Sequence, residues 1–134
     1  MEGYSVPVQD SNLHKEEACS VEKVALLKID KDCFVDRDWI NDYIKVILTT
    51  CERFGATVHS IKTCISKSKG LHFYIHVRPS LDPNLANKVQ WLLGDDSARV
   101  GFNRARITSG LNEWNKLFEA LGRRLTTVYE RPRR

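Results

Sequence analysis

The 134-residue chain has no long hydrophobic run. Its longest apolar stretches are Val24–Leu27 and Ile44–Leu48, the latter interrupted by Lys45. Both fall far short of the roughly 20 residues that a membrane-crossing helix needs, so no membrane partner is expected. No Cys-x-x-Cys occurs among Cys19, Cys33, Cys51 and Cys64, and no pair has the spacing of a zinc knuckle. The opening MEGYSVPVQDSNLHKEE is polar and acidic, so no secretory signal is expected. Reduced, buried thiols in a cytoplasmic protein are therefore expected rather than a disulfide framework. Internal repeats are absent. What remains, 42% hydrophobic and 28% charged residues, excludes full disorder and fibrous repeats. The length suits one domain with its own core.

Charge of one sign is also scarce, at 21 Lys and Arg against 17 Asp and Glu. Its distribution is uneven. Arg123, Arg124, Arg131, Arg133 and Arg134 face only Glu130 in residues 121–134, and the preceding 120 residues hold 16 groups of each sign. Residues 1–20 are acidic, with Glu2, Asp10, Glu16 and Glu17 against Lys15, and read as a flexible lead-in. Residues 60–80 carry Lys62, Lys67, Lys69 and Arg78 with no acid among them. The expected organisation is a lead-in over 1–20, one domain over 21–130 and a basic tail over 131–134.

Val24–Asp30 reads as a buried strand. Trp39, Ile40, Tyr43, Ile44, Ile47, Leu48 and Cys51 recur at three- and four-residue steps. They predict a helix over about Asp38–Phe54, capped by Asp36 or Asp38 and ended by Gly55. A strand over Thr57–Ser66, a turn at Lys67–Gly70 and a strand over Leu71–Val77 make a hairpin. In the latter strand Leu71, Phe73, Ile75 and Val77 face one way and His72, Tyr74 and His76 the other. After Pro79–Pro83 a helix carries Leu85, Val89, Leu92 and Leu93, ending near Gly94. Residues 97–107 fit a helix or a strand equally. Leu111–Leu121 reads as a helix and Leu125–Tyr129 as a last strand. This order predicts an α+β fold, the split βαβ sandwich of ferredoxin-like and RNA-recognition-motif-like domains, with an antiparallel sheet and helices on one face.

The other face would carry Lys28, Asp30, Asp32, Lys62, His72, Tyr74 and His76. His72 and His76 lie four strand steps apart, about 13 Å, too far to chelate one ion. Asp30 and Asp32, about 6.6 Å apart, could share a hard cation such as Mg²⁺ or Mn²⁺; the spacing alone favours a plain polar strand end leading into a turn. Tyr74 could stack a base, as aromatics on open sheets do, or pack beneath a loop or a dimer partner. Lys67 and Lys69 sit in a turn where they could hold phosphates.

Asp30-Lys-Asp32 after an apolar strand, with Ser66-Lys-Ser-Lys-Gly-Leu-His-Phe-Tyr-Ile75, resembles the first two motifs of archaeo-eukaryotic primases. The third motif would fall on Phe102-Asn103-Arg104-Ala105-Arg106, where Asn103 stands in place of the family's Asp. Trp91–Val100 with Asn103–Arg106, behind the Gly-x-His strand, also resembles small proteins of archaeal viruses and plasmids, over about residues 60–118. The resemblance implies a replication-linked nucleic-acid-binding protein of a mobile element, cytoplasmic in its host, minimal and non-catalytic because the third carboxylate is missing. It implies DNA or RNA as partner, single-stranded rather than duplex. Contacts would come from Lys28, Lys62, Lys67, Lys69, His72, Tyr74, His76, Arg104, Arg106, Arg123, Arg124, Arg131, Arg133 and Arg134. One alternative is a metal-dependent nucleotidyltransferase or nuclease using Asp30, Asp32 and His72, with Asp30 and Asp32 as metal ligands. Another is a protein-interaction domain whose sheet is covered in a homodimer.

Overall fold

Seven elements follow one another in the computed structural model, which describes residues 21–31, 36–65, 70–117 and 124–133. They are β1 (Val24–Lys31), α1 (Arg37–Arg53), β2 (Thr57–Ile65), β3 (Leu71–Leu81), α2 (Pro83–Leu92), α3 (Ser97–Thr108) and β4 (Thr126–Glu130). The lead-in expected over residues 1–20 lies outside the described residues, as do Asp32, Lys67, Lys69, Arg123 and Arg134. The strands form one antiparallel sheet in the order β1-β3-β2-β4. The α+β architecture is therefore as expected, and the arrangement is consistent with a ferredoxin-like split βαβ. β1 and β3 are neighbours. Among the described strands, however, β1 lies at an edge, and β3 and β2 take the centre.

Alternation in the strands sets the layers. Leu27 and Ile29 of β1, Ile61 of β2, and Phe73, Ile75 and Val77 of β3 are buried together. Against them pack Tyr43, Ile47 and Cys51 of α1, Ala86 and Val89 of α2, Ile107 of α3, and Trp114. Removing this apolar surface from water is the main stabilising contribution. Asp36 caps α1, its carboxylate accepting from the Trp39 N–H at 2.8 Å. Asp36→Ala is expected to cost about 1 kcal/mol, seen as a lower urea midpoint with an unchanged slope. Gly55, at φ 84°, supplies the left-handed residue after α1. Burial pushes the Cys51 thiol up to about 11. At pH 8 a thiol reagent should therefore leave Cys51 unmodified in the folded protein and label it in urea, as peptide mass mapping would show.

Three stretches differ from the sequence reading or decide between its options. Residues 97–107 are helical, because Asp96 accepts from the Arg99 N–H at 3.0 Å and starts α3. Residues 111–117 do not form a helix. There Trp114 is buried, and Asn112 and Asn115 accept hydrogen bonds from groups far away in the chain, a use of polar side chains that helical periodicity does not encode. β3 continues past Val77 to Leu81, and α2 begins at Pro83 with Asp82 as its cap.

A buried polar belt joins β1 to the helices. The Lys28 N–H donates to Gln90 Oε1 at 2.9 Å, and the Asp30 N–H to Asp95 Oδ1 at 2.9 Å. Arg99 Nη2 donates to the Lys28 carbonyl at 2.6 Å and to Asn115 Oδ1 at 3.0 Å. Arg99 Nε meets both carboxylate oxygens of Asp95, at 3.2 and 3.1 Å. These side chains occupy hydrogen-bonding positions that another strand would otherwise take, which closes this part of the sheet edge to pairing.

Candidate nucleic-acid interface

The antiparallel register aligns side chains in rows across the sheet face opposite the core. One row is Asp30–His72–Cys64, the next Lys28–Tyr74–Lys62–Thr127, and the third Leu26–His76–Ser60–Glu130. Lys28, Asp30, Lys62, His72, Tyr74 and His76 thus share a face, as the alternation predicts. Their accessibility differs from the expectation. His72 is 5% and Tyr74 8% exposed, so neither presents an open ring for stacking in this structure. Lys62 and Arg78 are exposed and His76 is half-buried.

Of the candidate catalytic set, Asp30 and His72 lie together, and Asp32 lies outside the described residues. His72 Nε2 lies 3.5 Å from Asp30 Oδ1, and His72 Nδ1 has no hydrogen-bond partner among the described residues. Asn103, aligned with the third carboxylate of the primase pattern, is fully buried in α3. Its amide donates to Asn87 Oδ1 at 3.1 Å, and its carbonyl accepts from Arg106 Nη1 at 3.3 Å. A helical residue turned into the α2–α3 contact cannot extend the face bearing Asp30, so the third-motif match fails structurally. Among the described residues no three His, Cys, Asp or Glu side chains converge as a metal site. A small groove of about 230 Å³ does reach Asp30, lined also by Asp96, Phe102, Arg106 and Lys116. Its charges are mixed.

The basic candidates separate into two groups. Arg104 is exposed on α3, and Arg106 is held by Asn103 and, at 3.4 Å, by the Trp114 carbonyl. That makes Arg106 part of the belt rather than a free phosphate contact. The other group lies along β2. Because β4 pairs with β2, the chain end returns beside the hairpin: the Arg131 N–H donates to the His59 carbonyl at 2.9 Å. At the far end of that pairing Arg124 borders a cavity of about 260 Å³ with Cys64, Ile65 and Thr126. Arg131 and Arg133 are exposed.

His59 is the residue that the alternation misses. Counting back from buried Ile61 in steps of two assigns it to the core face. The register slips between Val58 and Ser60, and this bulge lets the His59 ring sit 6.3 Å from that of His76. Local desolvation, then the charges of Arg78, Arg131 and His76, hold the His59 imidazole below its usual pKa. Two imidazoles and two guanidiniums therefore share one surface, an arrangement suited to anionic oxygens. No helix of the described residues is long and apolar enough to cross a membrane. Compared with known proteins, the chain matches no family model, no curated protein and no solved structure.

Proposed function

We propose that this protein binds single-stranded nucleic acid without acting on it chemically, through the surface bearing Lys62, His59, His76, Arg78 and Arg131. One observation carries the reading: β4 brings the arginine-rich chain end against the start of β2, joining two basic regions separate in the sequence. The electrostatic effect on His59 of Arg78, from the hairpin, and Arg131, from the chain end, reflects that juxtaposition. Thr57 to Thr63 spans about 20 Å at strand rise, enough for a few nucleotides of extended backbone. The replication role in a virus or plasmid is the part of the proposal that rests on resemblance alone. Asn103's burial in α3, away from the position of a third carboxylate, weighs against the two-metal alternative.

Anisotropy of a labelled oligothymidylate, titrated at several salt concentrations, tests the reading. Affinity should fall with salt, and Arg131→Ala/Arg133→Ala should weaken binding and lower the slope by about 0.7 per lost phosphate contact. Unchanged affinity and slope in that variant would remove the chain end from the interface. Template-dependent product formation with Mg²⁺ or Mn²⁺, abolished by Asp30→Ala, would replace the reading with an enzymatic one.

A second reading has its own observation. Val46, Trp91 and Leu92 are exposed, and a groove of about 630 Å³ between α1 and α2 is lined by Val46, Phe54 and Leu92 with Lys45 and Arg53. Such a patch suits a protein contact, including a second copy. A monomeric solution mass, unaltered by Leu92→Glu, would exclude the homodimer.

A further inference from the structure

The imidazole pair stands where a phosphate would dock, and its charge depends on pH in the range where histidine titrates. We propose that nucleic-acid binding at this surface is proton-linked: His59 and His76 take up protons from solvent as a phosphodiester docks beside Arg78 and Arg131. This inference rests on the nucleic-acid reading above and adds its regulation.

The geometry supports it from each neighbouring element. β2 contributes His59, placed by its bulge over the same face as His76 of β3, with ring centroids 6.3 Å apart. β3 also contributes Arg78, opposite Thr57 at the start of β2. The chain beyond β4 contributes Arg131, bonded through its N–H to the His59 carbonyl. The acidic neighbour is Glu130, whose register partner Ser60 also faces His76. On the β1 side His76 faces Leu26, which does not titrate. In the free protein local desolvation and then the positive charges of Arg78 and Arg131 oppose protonation of His59, and its pKa is lowered accordingly.

A bound phosphate reverses the balance. Its negative charge offsets Arg78 and Arg131 and accepts hydrogen bonds from protonated imidazoles, which raises their pKa values in the complex. The sign follows by linkage. A group with a higher pKa in the complex than in the free protein binds protons on association, so affinity rises as pH falls. The gain sets in as pH drops towards about 6.5, the ordinary histidine value, and reaches about tenfold for each imidazole whose pKa rises by about one unit.

The experiment is oligothymidylate binding at fixed ionic strength from pH 7.5 to 5.5, with a label insensitive to pH. Thymine has no protonation site in this range, so the proton uptake reports on the protein. The wild type should bind at least about tenfold more tightly at the acid end. His59→Gln/His76→Gln should lose most of that gain, and the affinity that remains should still fall with salt. Imidazole NMR titrations of the wild type should show both pKa values rising when oligothymidylate is added. Binding that tightens equally in wild type and double variant would overturn the proton linkage and leave the nucleic-acid reading intact. Binding that is independent of pH in both would do the same. Absence of binding at every pH would overturn that reading, and the linkage with it.

Discussion

Replacing Asp95 with alanine should cost about 3–5 kcal/mol, a large part of the roughly 5–15 kcal/mol that stabilises a typical domain. Asp95 is buried and is the carboxylate that faces Arg99, with contacts from Nε and Nη2 at 3.1–3.2 Å. Its removal leaves a guanidinium nine-tenths buried without its counter-charge. It also frees the Asp30 N–H, which donates to Asp95 Oδ1. A lost partner for a buried donor adds to the penalty. The expected readout is a fall in melting temperature of roughly 10–20 °C, taking about 4 °C per kcal/mol at this size. Arg99→Ala should be comparably severe, and the double variant should cost less than the sum by more than about 1 kcal/mol. Arg104→Ala, exposed on the same helix, should stay within about 0.5 kcal/mol of the wild type. Equal, small effects for Asp95 and Arg104 would show that the belt does not hold β1.

The largest expected effect on function comes from Arg78→Ala combined with Arg131→Ala. Each guanidinium is exposed, so folding should change little, but both flank the same imidazole. If each contacts one phosphate, the double variant lowers the salt slope by about 1.4 and weakens single-strand binding by about tenfold or more at low salt. Arg104→Ala with Arg106→Ala should leave binding nearly unchanged, because Arg104 lies on α3 and Arg106 is committed to Asn103 and Trp114. The reverse ranking would move the interface to the α3 side.

The contrast between these two arginine pairs shows what the sequence carried and what it did not. Strand alternation located Lys62, His72, Tyr74 and His76 on one face, because a regular strand projects side chains with period two. It failed at His59, where an extra residue in β2 breaks the period. Helical periodicity located α1 and α2. The same periodicity misread residues 111–117, whose asparagines bond across 12 to 90 residues of chain. Burial of His72 and Tyr74 was invisible too, since alternation gives the face of a residue and not what lies over it. Adjacency of Arg131 to the hairpin depended on which edge of the sheet β4 joined, a tertiary choice that no local pattern records.

The most direct measurement is therefore a map of backbone amide NMR shifts on adding oligothymidylate at low salt. The account predicts changes concentrated at residues 57–62, 76–80 and 126–133, with fast loss of those changes as salt is raised. Changes concentrated instead along α1 and α2 near Val46 and Leu92, or around Asp30, Asp96 and Phe102, would contradict it.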